Sequence, residues 1–230
     1  MSSSRSAILE AVLVGKVREH PGEGPNGPFQ QPWRSAYIKE PVDRPVWIRK
    51  LGLEGDQVAD TRVHGGPEQS VLAYPACHYG HWRSELGIED MGPGGFGENL
   101  CVTELDETRV CIGDQYQVGG AVLQVSLPRL PCASINRRWR IPHLAQKVGR
   151  LSRTGWYFRV LSEGEVSAGD RLQRLARPLP EWTVAKVLQL RLNNDQDSLE
   201  PAGRLAACEL LAAHWREHFA ARVTRRSNQP

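Results

Sequence analysis

Three short stretches of this chain hold the residue types from which a reactive site can be built. In Ser126-Leu127-Pro128-Arg129-Leu130-Pro131-Cys132-Ala133-Ser134-Ile135-Asn136, two prolines bracket an arginine and deliver a cysteine directly after a rigid turn. Proline fixes its own φ and donates no backbone N–H, so regular structure is expected to stop here and the chain to leave its sheet. Arg129, Arg137, Arg138 and Arg140 lie close to Cys132 in sequence, and nearby cations favour a thiolate, which is both nucleophile and metal ligand. The competing reading is a packing residue, since free cysteines are among the most commonly buried side chains.

The second stretch, Arg62-Val63-His64-Gly65-Gly66-Pro67, sets a cation and a titratable imidazole beside two glycines. Such glycines let backbone N–H groups approach an anion. The Gly-Lys-Ser/Thr ending of a P-loop is absent, and the spacing is not that of a dinucleotide fold. A ligand loop and a tight structural turn both remain open. The third stretch, Gly92-Pro93-Gly94-Gly95-Phe96-Gly97, delivers Glu98-Asn99, which either orients a ligand or ends the turn. Cys77 and His81 stand at i, i+4, a spacing that can hold zinc. With no matching second pair, the core face of a helix is the better reading.

The elements that must position these groups are short. Ala7–Val17, Tyr37–Lys39, Val46–Ile48, Leu100–Val102, Val110–Asp114, Tyr116–Val118, Ala121–Val125, Gly155–Val160, Gly164–Val166 and Asp170–Leu175 read as strands. His20–Pro32 is crowded with Gly, Pro and Asn and reads as a loop. Ser70–Leu86 has near-helical apolar spacing, with Pro75 near its start, and His143–Val148 reads as a short helix. Many short strands between Gly/Pro turns predict a mainly β fold with some helices, a closed or nearly closed β-barrel over residues 1–177. Residues 178–230 differ in composition and predict three helices, the first capped by Thr183, then a polar Asn193-Asn194-Asp195 break. About 50 residues make a marginal core of their own, so this module is expected to pack on the barrel or on a second copy of the chain, as in a homodimer.

The chain as a whole has 230 residues, 40% hydrophobic and 24% charged, with a net charge of +3. It can bury a core, and its charge is too mild to signal a nucleic-acid binder. No apolar run approaches a membrane span, and Met1–Arg5 lacks a signal-peptide core. Five cysteines with no C-x-x-C pair fit reduced thiols and a cytoplasmic location.

Taken together and in order, Gly55-Asp56, Asp60, His64-Gly65-Gly66-Pro67, Phe96-Gly97-Glu98-Asn99-Leu100, Ile112-Gly113-Asp114 and Pro128-Arg129-x-Pro131-Cys132 resemble the motifs of the MOSC-domain family. The helical tail resembles the YiiM type, in which a three-helix C-terminal module follows the MOSC domain. The resemblance implies a β-barrel that binds the molybdenum cofactor, with Cys132 ligating the metal. It implies that Arg62, His64, Gly65, Gly66, Arg129 and Arg137 hold the cofactor, with Glu98 and Asn99 at the pterin ring or a metal-bound water. The implied activity is reduction of N-hydroxylated compounds (hydroxylaminopurines and amidoximes), a detoxification of base analogues, with Cys132, His64 and Glu98 in the chemistry and His64 or Glu98 as the acid. No flavin or nicotinamide motif is visible, so electrons are expected from a separate flavoprotein or ferredoxin; neither a membrane nor a nucleic-acid polymer is an expected partner. The rival reading is a non-catalytic cofactor carrier or sulfur-handling module. Pyridoxal phosphate ranks low, because none of Lys16, Lys39, Lys50, Lys147 and Lys186 lies in the motifs.

Overall fold

The computed structural model describes residues 7–22, 28–193 and 198–227. The reading of Met1–Arg5 and most of the Asn193–Asp195 break lie outside them. Eight strands form the main sheet: β1 (Leu9–Val14), β4 (Glu40–Pro41), β7 (Val71–Pro75), β8 (Leu100–Val102), β9 (Gln115–Val118), β10 (Ala121–Pro128), β11 (Trp156–Ser162) and β13 (Leu172–Ala176). Their spatial order is β13-β9-β10-β11-β7-β8-β1-β4. Every pair is antiparallel except β7–β8, which are parallel because α1 (Cys77–Leu86) and the 92–97 glycine loop carry the chain between them. Two smaller sheets flank it: β5 (Val46–Arg49) with β6 (Gly52–Leu53) and β12 (Gly164–Val166), and β2 (Arg18–His20) with β3 (Trp33–Ser35).

A closed barrel is not found among the described residues: the sheet order ends at β13 and β4. The chain entering β1 does meet the chain entering β13, through an isolated bridge from Ile8 to Arg171, with Leu9 N–H donating to the Asp170 carbonyl at 2.8 Å, Leu172 N–H to the Ala7 carbonyl at 2.9 Å and Gly169 N–H to the Leu9 carbonyl at 2.8 Å. Strand β1 breaks register between Leu9 and Ala11, and its last residues pair with β4 instead of continuing along β13. Such a break re-aims a strand and ends its pairing.

Other expectations also need correction. Ser70–Leu86 is half strand and half helix: Val71–Tyr74 are buried on both faces in a central strand, a pattern that a helical spacing mimics. On α1 the buried face is His78, Tyr79 and Trp82, so Cys77 and His81 are exposed and do not form the expected core face; no group of three or more metal-binding side chains occurs among the described residues. Tyr37–Lys39 and Val110–Asp114 join no ladder beyond a bridge from Cys111 to Thr183. Strand β10 runs on to Pro128, paired with Trp156, and only then leaves the sheet. Past the second proline comes a helix that the turn signals hid, α2 (Ala133–Trp139), followed by α3 (Leu144–Arg150).

The C-terminal helices α4 (Val184–Leu192), α5 (Leu199–Ala206) and α6 (Ala213–Ser227) follow. The Thr183 hydroxyl caps α4, accepting from Lys186 N–H at 3.2 Å. Val184, Val187, Leu188, Leu205, Trp215 and Phe219 enter the same apolar cluster as the β10 residues Leu123, Val125 and Leu127, so these helices pack on the sheet. No helix among the described residues is long and apolar enough to cross a membrane.

The Ile112-Gly113-Asp114 motif belongs to this docking. Asp114 is fully buried and accepts from Cys111 N–H at 3.0 Å, the Tyr116 hydroxyl at 3.2 Å and the Arg177 guanidinium at 2.6 Å. Gly113 has φ +81°, and a Cβ there would meet Leu210 Cδ1 at 2.7 Å and Pro178 Cγ at 2.9 Å. Gly113→Ala is therefore expected to cost about 2–4 kcal/mol, from φ strain together with overpacking. Gly87→Ala, also at positive φ but in open space, should cost only about 1 kcal/mol. Urea denaturation of the two variants checks the difference.

Candidate active site

The end of β10 and the start of α2 build the centre of the site. Between them Pro128 and Pro131 limit the backbone, and Cys132 takes the N-cap position of α2 with extended φ −114° and ψ 167°. Its side chain is half-buried. Burial opposes its ionisation, but the Arg129 guanidinium and hydrogen bonds from the Ser134 hydroxyl and amide outweigh that and hold the thiol below its usual pKa.

Arg129 is only 3% exposed. Its N–H donates to the Gly155 carbonyl at 3.1 Å and its Nη2 to the Phe96 carbonyl at 3.2 Å, while Nη1 is buried without a partner. The Tyr37 hydroxyl lies near the same guanidinium, outside hydrogen-bond geometry, and is likewise unpartnered. Desolvation raises the Tyr37 pKa more than Arg129 lowers it, so the phenol stays protonated. These groups face a cavity of about 370 Å³ whose wall also includes Lys39, Asp56, His64 and Tyr157.

The glycine loop sets one side of that wall. The Glu98 carboxylate is fully buried and accepts from Gly94 N–H at 2.7 Å, Phe96 N–H at 3.1 Å and the Tyr79 hydroxyl. Burial raises its pKa, against those hydrogen bonds, and it does not line the cavity. Gly97, at φ +75°, leaves the space in which the Tyr37 ring lies; a Cβ would fall 2.8 Å from it. Asn99 does line the cavity, and acts there as a cross-brace. Its Oδ1 accepts from Leu72 N–H at 3.2 Å and its Nδ2 donates to Asp56 Oδ2 at 2.8 Å. Asp56 in turn accepts from Gly15 N–H at 2.7 Å and from the Lys39 ammonium. Burial lowers the Lys39 pKa, opposed by Asp56.

The 60–70 loop closes the other side. His64 is half-buried on the cavity wall, and burial followed by the Arg129 charge lowers its pKa, opposed by Asp60. Gly65 lines the cavity at φ +77°, whereas Gly66 is exposed and does not. Arg62 is also away from it, exposed and held to Asp60 at 2.8 Å. Glu68 ties the loop to the helical module, accepting from Ala213 N–H at 2.9 Å and Arg159 Nη2 at 3.2 Å. Leu51 and Val63, 67% and 61% exposed, give the mouth an apolar rim.

The structure thus brings Cys132, His64, Gly65, Asn99 and Arg129 to one cavity, and leaves Arg62, Gly66, Glu98 and Arg137 outside it. Arg137 donates to the Gln31 carbonyl at 3.0 Å and lines a separate outer pocket. Sequence reasoning missed Tyr37, Lys39, Ser134 and Tyr157. Asp56 stood in a quoted motif without a role, but Tyr37 and Lys39 carried no signal, lying in a segment read as strand. Lys39, outside every quoted motif, does line the cavity, where its ammonium is engaged by Asp56.

The charge coupling at the centre is measurable without any ligand. Iodoacetamide at pH 7 should alkylate Cys132 well ahead of the buried Cys101, whose pKa burial raises, and Arg129→Met should slow Cys132 by about tenfold while Arg129→Lys slows it less. Mass spectrometry of the labelled peptides against pH reads this out, and an unchanged profile in Arg129→Met would refute the coupling.

Comparison with known proteins agrees with this arrangement. A family model described as MOSC domain matches residues 60–173, which hold the His64-Gly65 loop, the glycine loop and Cys132. Protein YiiM of Escherichia coli is 36% identical over 168 residues, 72% of this chain and 71% of that protein. An uncharacterized protein YflK of Bacillus subtilis is 38% identical over 79% of this chain and 81% of that protein. A protein named Reductase from Gibberella moniliformis is 40% identical over 80% of this chain, which spans only 32% of that longer protein. The crystal structure of YiiM from Geobacillus stearothermophilus superposes with a TM-score of 0.75 at 28% identity, covering 94% of this chain and 99% of that one. On these matches, and with the motif residues standing where the fold gathers them, the chain belongs to the MOSC-domain family and is of the YiiM type.

Proposed function

We propose that this chain is a molybdenum-cofactor-dependent reductase of N-hydroxylated compounds such as hydroxylaminopurines and amidoximes. The balanced conversion takes R–NHOH with two electrons and two protons to R–NH2 and water. The observation that carries the reading is the pairing of a half-buried, acidified Cys132 thiol with a buried Arg129 whose Nη1 has no partner, both facing one cavity. A soft thiolate suits a redox metal, and an orphaned guanidinium N–H suits an anionic ligand. The residues present therefore fit the cofactor, and the relatives named YiiM and Reductase support the reading.

Cys132 would hold the metal, and Arg129 with Tyr37 would donate to the anionic parts of the cofactor. When bound, the cofactor supplies the two-electron, oxygen-accepting chemistry. The chain supplies position and protons. Asn99 and Asp56 stiffen the wall, and the apolar rim at Leu51 and Val63 offers a flat base a surface to cover. Glu98 organises the glycine loop and takes no part in proton transfer. His64 is the proton carrier on the wall, its imidazole Nε2 or Nδ1 exchanging with solvent at the mouth. Electrons come from a separate flavoprotein or ferredoxin.

Two measurements test this. Freshly purified wild type should contain molybdenum and reduce an N-hydroxylated base with a chemical reductant, and Cys132→Ser should lose at least about a hundredfold in both. Equal molybdenum in the two proteins removes the assignment, and retained molybdenum in a wild type without turnover favours the carrier reading. The second is a pH profile. Because the His64 pKa is lowered, its imidazolium is populated only below the usual histidine range; turnover should rise as pH falls toward that range and flatten in His64→Gln.

A further inference from the structure

Leu51 and Val63 are the most exposed large apolar side chains among the described residues, and both line the cavity that holds Cys132. Val58, 39% exposed, lines it with them. The three come from separate pieces of chain: the turn between β5 and β6, the segment after β6, and the loop that ends in Gly65-Gly66. Single exposed aliphatic residues need no explanation, but three that meet at one opening form a patch that a ligand can cover.

The backbone beneath each is tied down. Lys50 N–H donates to the Glu163 carboxylate at 2.8 Å, and the Lys50 ammonium donates to the Val160 and Leu161 carbonyls at 2.9 and 2.7 Å. The Ser70 hydroxyl donates to the Lys50 carbonyl at 2.6 Å, so the turn carrying Leu51 is joined to β11 and to the end of the 60–70 loop. Next to Val58, Gln57 N–H donates to the Gly15 carbonyl at 2.9 Å and its side chain accepts from Val17 N–H at 2.8 Å. Gly65 seats Val58, since a Cβ there would stand 3.3 Å from Val58 Cγ2. His64 N–H donates to the Asp60 carbonyl at 3.1 Å and closes the turn that carries Val63. A surface fixed in this way loses little freedom when it is covered.

Further in, the wall turns polar. Arg129 Nη1 and the Tyr37 hydroxyl are buried without partners, and Cys132 and His64 line the same cavity. A ligand with a polar head and an apolar body therefore enters one way round, with its head inward and its body on the aliphatic patch.

We propose that Leu51, Val58 and Val63 form a specificity ledge, which selects N-hydroxylated compounds with a flat or bulky apolar body over small ones bearing the same N–OH head. The proposal rests on the reductase reading and names the part of the substrate that the site recognises. In R–NHOH the ledge touches R alone; the N–O bond breaks at the inner end, where two electrons from the separate donor and two protons give R–NH2 and water. Covering R holds the head in place for that step, so the gain appears in kcat/KM. All three side chains are aliphatic and offer a ring no hydrogen bond. Selection is thus by apolar area and not by the pattern of ring nitrogens, and one site serves many bodies.

N-Benzylhydroxylamine and N-methylhydroxylamine carry the same head and differ in the body, which makes them the test pair. With reduced methyl viologen as donor, the cofactor-loaded wild type should favour the benzyl compound by about thirtyfold or more in kcat/KM. Leu51→Ser with Val63→Ser should lower that ratio by about tenfold, whereas Leu51→Met with Val63→Ile should hold it within about twofold. Both positions are exposed, so the variants keep the fold. Calorimetry without reductant should show the dissociation constant of N-benzylhydroxylamine rising about tenfold in the serine pair. A ratio that the serine pair leaves in place, or that the Met/Ile pair lowers as much, overturns the ledge. A wild type that turns over neither compound removes the reductase reading instead. Calorimetry then decides the ledge by itself: no binding, or binding indifferent to the serine pair, overturns it.

Discussion

A buried guanidinium that no carboxylate pairs with, among the described residues, is the constraint on which this structure turns. Taking a charge out of water costs several kcal/mol unless other groups replace the lost hydration. Arg129 receives only partial replacement: the Phe96 carbonyl accepts from Nη2, the Cys132 thiol gains acidity beside it, and Nη1 has nothing. An arginine in that state is a strong receptor for an anion; the same charge lowers the Cys132 pKa and adds to burial in lowering that of His64.

Holding such a group in place demands rigidity around it, and most polar residues of the motifs serve that end. Glu98 is the hub of the glycine loop, accepting two of its backbone N–H groups. That loop presents the Phe96 carbonyl to Arg129 and, through the bare Gly97, leaves room for Tyr37. Asn99 and Asp56 join β1, β7 and the Lys39 ammonium into one network. Trp139 donates to the Gly95 carbonyl at 2.8 Å, so α2 is anchored to the same loop that holds Arg129. Removing an acceptor from such a network would leave buried donors unsatisfied, the costly kind of polar loss.

The C-terminal helices are coupled to the site through the same economy of polar contacts. Asp114 clamps Arg177 at the passage from sheet to helices, and Glu68 joins the His64 loop to the first N–H of α6. An anion at a helix N-terminus satisfies an otherwise orphaned donor and meets the positive end of the helix dipole. The helical module is thus built against the outside of the wall that carries His64.

Much of this was legible beforehand, and the division has a physical basis. Strand alternation, the Gly/Pro turns, the Thr183 cap and the order of the motifs are local properties, set by residues within a few positions of one another, and they marked Cys132, Arg129, His64 and Asn99 as the residues to watch. What lay beyond reach was direction. Glu98 and Asn99 are neighbours in an extended segment, so their side chains leave opposite faces, one into the loop and one into the cavity wall. Tyr37 and Lys39 come from an unpaired segment far from the motifs, and only the packing of Gly94 and Gly97 against that segment brings them in. Sheet closure was equally hidden, because it depends on which edges meet in space. The sequence by itself determined the chemistry available, a cysteine among arginines behind a stiff bend; the tertiary structure alone decided which of those charges is buried, which is answered and which is left to bind, since burial and pairing are properties of distant segments brought together.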